Sequence, residues 1–211
     1  MASIKCMCGA VELAFGIDHD LFRLQCCCHD CSAALWYASK RGGPKHPPHQ
    51  CVDTSWLPND FRIVRGEAHI GAYMNFHGAD TTRFYCRECW TVLIGDHEVY
   101  AEKVLVTATN NITECDSLTG IELMPFQARH FMRDLSPEQR ANLPEWTGDS
   151  ARIYESVADV LMEQFPSIQA AGSKGVEMNA QRLLENVGAP FIPEQEPVLS
   201  DGPPTLMQQL V

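Results

Sequence analysis

Apolar and polar residues alternate over several short stretches in the first two thirds of the chain. Val11-Glu12-Leu13-Ala14-Phe15 sets the pattern, and Phe61 to Val64, Ala68 to Phe76, Thr82 to Tyr85, Val92 to Ile94 and Val104 to Thr107 repeat it less cleanly. A period of two sends successive side chains to opposite faces, so residues 1–130 are expected to be β-rich, with glycines and Asn/Asp marking the turns. Gly42, Gly43, Pro44, Pro47, Pro48 and Pro58 break the pattern between Lys40 and Asp60. Ring-locked φ angles and missing N–H donors disfavour regular structure, and a long surface loop is expected there.

The period changes after Arg133. Ser136 is placed to cap a helix, with Pro137 at its first position and Gln139 three residues after the cap. Ile153, Val157, Leu161 and Phe165 recur every fourth residue, and Val176, Ala180, Leu183, Leu184 and Val187 form a second stripe. Both stripes predict amphipathic helices that pack on the β domain or on a second subunit, which makes a homodimer a candidate assembly. Pro190, Pro193, Pro197, Pro203 and Pro204 predict an extended tail from Ala189 onward. The expected organisation is a β domain over 1–133, a helical extension over 134–188 and a Pro-rich tail over 189–211.

Composition narrows the function. At 211 residues and 45% hydrophobic content the chain can bury a core without help from disulfides. Its 16 basic and 27 acidic residues give a net charge of −11, and no run of Lys or Arg forms a stripe that would neutralise phosphates. Nucleic acid is therefore not an expected partner. The Met1-Ala2-Ser3-Ile4-Lys5 start has no apolar signal core, and no window reaches the roughly 20 apolar residues of a membrane span. A cytoplasmic, reducing setting without membrane contact is expected, where ten cysteines point to metal rather than to disulfides.

Most of those cysteines fall in Cys6-Met7-Cys8, Cys26-Cys27-Cys28-His29-Asp30-Cys31 and Cys86-Arg87-Glu88-Cys89, with Cys51 and Cys115 isolated. The Cys86-x-x-Cys89 knuckle supplies two thiolates where a structural zinc takes four, and Cys6-x-Cys8 is its natural complement. Cys26-x-Cys28-x-x-Cys31 then offers three thiolates and an open fourth position, as a catalytic zinc does. One alternative pairs Cys28-x-x-Cys31 with Cys86-x-x-Cys89 in a single four-cysteine site, which leaves Cys6 and Cys8 unexplained. A redox reading of the pairs lacks the surrounding βαβ pattern of a thioredoxin-like protein.

The order Cys6-x-Cys8-Gly9-Ala10-Val11, then Cys26-x-Cys28-x-x-Cys31, then Arg83-Phe84-Tyr85-Cys86-x-x-Cys89 followed by Leu93 resembles the glutathione-dependent formaldehyde-activating family, which also includes centromere-protein-V-like domains. The likeness spans about residues 3–130. It implies a mainly β, mostly antiparallel Mss4-like fold bound to zinc, here carrying the helical C-terminal extension. It also implies two zinc ions per chain, a structural one on Cys6, Cys8, Cys86 and Cys89 and a catalytic one on Cys26, Cys28 and Cys31. Family members are associated with joining formaldehyde to glutathione, which is grouped with carbon–sulfur lyase chemistry, so glutathione is a candidate co-substrate.

Three thiolates on Zn²⁺ leave a net charge of −1, which suits holding a substrate thiol better than acidifying water. The expected activity is carbon–sulfur lyase-like, on a thiol adduct or a small carbonyl compound. One alternative is a glutathione-independent dehydration, cyclisation or isomerisation of a larger metabolite, and another is a noncatalytic zinc-stabilised protein-binding module. His29, within the triad loop, is the candidate catalytic residue beside the cysteines, with Asp30 as a relay or hydrogen-bond partner. His46 and His49 are expected on a solvated loop, and His97 on a turn unless its strand ends beside the triad. Trp36 and Tyr37 could floor a pocket. Two positions depart from the family: Cys27 stands where a His is common, and Trp90 where Gly is usual, so the turn at Trp90 is expected to differ.

Overall fold

The computed structural model describes residues 1–48, 50–109, 118–143, 152–154 and 177–193. In chain order its elements are β1 (Ala2–Lys5), β2 (Glu12–Phe15), β3 (Phe22–Cys26), α1 (His29–Ser39), β4 (Val52–Pro58), β5 (Phe61–Arg65), β6 (Ile70–Tyr73), β7 (Thr81–Cys86), β8 (Val92–His97), β9 (Val104–Ala108), β10 (Leu118–Thr119), β11 (Ala128–His130), α2 (Pro137–Ala141), β12 (Arg152–Tyr154) and α3 (Ala180–Val187). The fold is mainly β, as its sequence implies. Among the described residues the strands form one sheet in the order β10-β1-β2-β5 and another in the order β12-β11-β3-β4-β9-β8-β7-β6. Pairing is antiparallel except at one end of the larger sheet, where β3, β11 and β12 run parallel.

The larger sheet is covered on both faces. On one, Leu57, Phe84, Leu93, Ile94 and Leu105 pack with Ile4, Leu13 and Phe15 of the smaller sheet and with Ala180 and Leu183 of α3. On the other, Phe22, Leu24, Trp56 and Tyr73 pack with Leu35, Tyr37 and Ala38 of α1. Strands buried on both sides lose strict alternation, which is why β6 and most of β4 are continuously buried.

The last part of the expected loop between Lys40 and Asp60 is in fact β4, which pairs with β3 from Phe22↔Trp56 to Cys26↔Val52 and with β9 on its other side. Only Pro58 of the six interrupting residues falls in the strand, at its last position, where a missing N–H costs the ladder little. Of the glycines before it, Gly42 takes a left-handed φ of 101° with open space around it, and Gly43 serves packing. A Cβ on Gly43 would meet the Trp90 carbonyl oxygen at 2.7 Å and that of Ala38 at 2.9 Å, so this turn admits no side chain.

Two of the helix signals at the C-terminal side are met among the described residues. Ser136 Oγ accepts from the Gln139 N–H at 3.2 Å and the Ser136 N–H donates to Gln139 Oε1 at 2.7 Å, closing a capping box around Pro137. The second stripe forms α3 from Ala180, held by Asn59, whose Oδ1 accepts from the Ala180 N–H at 2.8 Å. Ile153, by contrast, lies in β12 in register with Arg129, and β-branched Ile153 and aromatic Tyr154 are residue types that suit a strand. Val157, Leu161, Phe165 and Val176 lie outside the described residues, as do Cys115, His49 and the tail beyond Pro193. Phe191 pairs with the edge strand β6, its N–H donating to the Ala72 carbonyl at 2.8 Å.

Candidate metal centres

The turn after β1 and the turn between β7 and β8 bring four thiols together. The Sγ atoms of Cys6, Cys8, Cys86 and Cys89 all lie within 4.8 Å of one another, with Cys6 to Cys8 at 3.5 Å and Cys8 to Cys86 at 3.8 Å. Zinc–sulfur bonds of about 2.3 Å in a tetrahedron would set sulfurs about 3.8 Å apart, so the donor set fits that ion. Thr91 joins the halves: its Oγ1 accepts from the Met7 N–H at 3.0 Å and lies 3.2 Å from Cys89 Sγ. Cys6 Sγ accepts from the Val11 N–H at 3.1 Å. Burial pushes the Cys6 and Cys86 thiols up and acts the same way on Cys89, where the Thr91 hydroxyl and backbone donors outweigh it and leave the pKa at about 7. Packed thiols of this kind need a cation to ionise together.

Trp90 closes the second knuckle with φ 55°, so it takes the left-handed conformation itself and the turn is the one a glycine would make. Such a conformation costs a bulky residue about 1 kcal/mol or more. Stacking on Tyr85 at 4.5 Å and an edge contact with Tyr37 at 5.9 Å offset it.

The second centre grows out of β3 and α1. Cys26 ends the strand, Cys28 caps the helix by accepting the Cys31 N–H on its Sγ at 3.2 Å, and Cys31 follows in the first turn. Their three sulfurs also lie within 4.8 Å of one another, with Cys26 to Cys28 at 3.2 Å. Sulfur contacts with Cys26 and Cys28 draw the Cys31 thiol well down from its ordinary value against the burial that raises it, and the buried Arg83 cation adds to this. The two clusters are separate sets, so Cys28 and Cys31 do not share a site with Cys86 and Cys89.

The triad borders a cavity of about 270 Å³. Leu24, Leu35, Val52, Trp56, Val92 and Val106 make its walls largely apolar, because β3, β4, β8 and β9 present alternate residues to the same side. Asp30 also lines it, ion-paired with buried Arg83 of β7 and accepting from Asn75 Nδ2, which pins the first turn of α1 to the sheet. His29 is not among the wall residues; its N–H donates to Asp134 Oδ2 at 3.2 Å.

Two other histidines line the cavity. Strand β8 ends there at His97, whose Nδ1 accepts from the Val99 N–H at 3.1 Å, so the neutral ring carries its proton on Nε2. His130 comes from β11, opposite Cys26 in register, and its buried Nδ1 has no hydrogen-bond partner among the described residues. Burial holds His97 below the ordinary histidine value and His130 at about 4, so both rings are neutral at pH 7. Sequence reading missed His130, which is isolated in the chain and reaches the triad only through a parallel strand pairing; Arg83 at least stood within the Arg-Phe-Tyr-Cys run.

His46 is a correction. It is 4% exposed rather than solvated, lies 3.4 Å from Ser32 Oγ through Nε2, and burial lowers its pKa to about 4. Pro44, two residues before it, is buried too, and the Gly43 N–H donates to the Ala38 carbonyl at 3.0 Å, which holds the loop against α1. Tyr37 belongs to the aromatic core with Tyr73 and Trp90, and Trp36 stacks under Lys40, so neither floors the cavity. Cys27 is buried outside the triad with its Sγ 2.7 Å from that of Cys51.

A family model described as glutathione-dependent formaldehyde-activating enzyme matches residues 1–119. The crystal structure of a Rhodobacter sphaeroides protein, a structural-genomics target, aligns with 72% of this chain and 99% of that one at 14% identity and a TM-score of 0.37. No curated protein matches the chain.

Proposed function

The chain belongs to the glutathione-dependent formaldehyde-activating enzyme family, and from that premise we propose that it is a zinc enzyme with carbon–sulfur lyase-like activity on a thiol adduct or small carbonyl compound. The observation that carries this reading is the thiol triad of Cys26, Cys28 and Cys31 bordering a cavity that also holds two neutral histidines. Zinc on Cys6, Cys8, Cys86 and Cys89 would be closed and structural. Zinc on Cys26, Cys28 and Cys31 would hold a substrate sulfur as thiolate or polarise a carbonyl.

The chain's own residues then supply the rest. The apolar walls exclude water from the reacting carbon and sulfur. As the sulfur adds to the carbonyl carbon, the thiol proton passes to His130 Nδ1 while the His97 Nε2–H hydrogen-bonds the developing oxyanion, and His130 then returns that proton to the oxygen, giving the hydroxyl of a thiol adduct with both rings neutral again. Cleavage runs the same transfers backwards. The Asp30–Arg83 pair fixes the helix that carries Cys31 and is capped by Cys28. His29 is assigned a positioning role, through its backbone hold on Asp134 of the cavity wall. Glutathione is the co-substrate the family's name suggests, and a cytoplasmic setting, whose thiol pool keeps cysteines available to metal, agrees with this reading. Among the described residues no helix is long and apolar enough to cross a membrane.

The cavity itself favours a second reading. At about 270 Å³ it is just below the roughly 300–1,000 Å³ of ligand sites, and its walls are largely apolar with acidic Asp30, Asp80 and Asp134. These features favour a compact apolar carbonyl compound, rearranged or dehydrated without glutathione. Turnover assays of the zinc-loaded protein on aldehyde–thiol adducts, with and without glutathione, test both readings. Cys28→Ser should abolish turnover while the protein stays folded; retained turnover would remove the triad from the mechanism.

A further inference from the structure

Two thiols next to the triad take no part in either metal centre. Cys26↔Val52 is the last paired register of β3 and β4, so Cys27 and Cys51 are the next residues out, facing each other across the strand ends. Their Sγ atoms are 2.7 Å apart, while Cys26, Cys28 and Cys31 form their own cluster without either one. A disulfide bond is about 2.0 Å long, so an approach of roughly 0.7 Å joins them, without moving a strand.

We propose that Cys27 and Cys51 form a reversible disulfide by exchange with a low-molecular-weight disulfide, as a thiol function separate from both metal centres. Cys51 is half-buried and Cys27 is 3% exposed, which sets the order of events. The Cys51 thiolate attacks one sulfur of the small disulfide RSSR, forming a mixed disulfide and releasing the first RSH. Cys27, in contact with it, gives up its proton and attacks Cys51 Sγ, forming the internal bond and releasing the second RSH. The protein loses two electrons and two protons, and RSSR gains both. Contact with Cys27 draws the Cys51 thiol below its ordinary value against the burial that raises it, and the Arg129 cation adds to this, so Cys51 is the attacking thiolate.

The placement links this pair to the triad. Cys27 stands between two of its cysteines, and its N–H donates to the His130 carbonyl at 3.0 Å. A bond to Cys51 therefore ties the triad loop and β11 to the start of β4. The proposal does not depend on which reaction the triad performs.

The test uses the full zinc-loaded chain incubated with oxidised glutathione, then alkylated, digested without reductant and mapped by mass spectrometry. The expected result is loss of two alkylatable thiols, one cross-link between the Cys27 and Cys51 peptides, unchanged zinc content and full reversal by dithiothreitol. Cys51→Ser should lose the cross-link and keep its zinc and its turnover. Cys27→Ser should instead stop at one glutathione on Cys51. Cross-links among Cys26, Cys28 and Cys31 with loss of zinc, or no loss of thiols at all, would overturn the proposal, and the wild-type map decides even if Cys27→Ser fails to fold.

Discussion

Cys28 has two tasks that a single substitution separates. Its Sγ is both a member of the triad and the N-cap of α1. Serine retains a capping oxygen and alanine does not, so both variants should lose the second metal while Cys28→Ala alone also loses about 1 kcal/mol of stability. Chemical denaturation of the metal-depleted variants checks the difference. A second residue-scale prediction concerns His46, held neutral by burial with a pKa of about 4 against about 6.5 for an unfolded chain. The unfolded state then binds more protons between those values, so this residue's effect is a stability that falls as pH drops from about 6.5 to about 4 and is level above. His46→Gln should flatten that slope relative to wild type in denaturation curves taken across the window; parallel curves would contradict it.

At the scale of elements, α1 owes its position to the ion pair of Asp30 with Arg83, 4% exposed on β7. Arg83→Gln should destabilise the fold by roughly 2–3 kcal/mol, the lower side of the range for broken buried pairs because the Asp30 side chain is 34% exposed, and should weaken metal binding at the triad. Thermal melts and zinc titration read the two effects. The sequence does not announce α1, because Ser32, Ala33, Ala34, Leu35, Tyr37 and Ala38 are all buried and a helix enclosed nearly all round shows no stripe. Strand β4 is concealed in the same way, with the prolines before it drawing attention away from Val52–Pro58. The capping box at Ser136 and the stripe from Ala180 are legible because each is a local device whose residues lie within a few positions. Cysteine spacing is legible for a related reason: a tight turn fixes the bite of two thiols. The cavity is not, since His97, His130 and Trp56 meet only through strand pairing across the chain.

For the whole molecule the two clusters have different weight. The first ties the turn after β1 to the turn between β7 and β8, against the core shared by the two sheets, whereas the second sits within one strand-to-helix connection. Loss of the first should therefore cost the fold and loss of the second mainly the chemistry. Cys89→Ser is expected to give a melting temperature well below that of Cys28→Ser, and equal melting temperatures would contradict the division. The most direct measurement is zinc content of the purified protein with X-ray absorption at the zinc edge, before and after a thiol is added. The account predicts two zinc ions per chain, one with four sulfurs throughout and one that gains a sulfur ligand from the thiol. A single zinc, or two with four protein sulfurs each and no response to thiol, would contradict it.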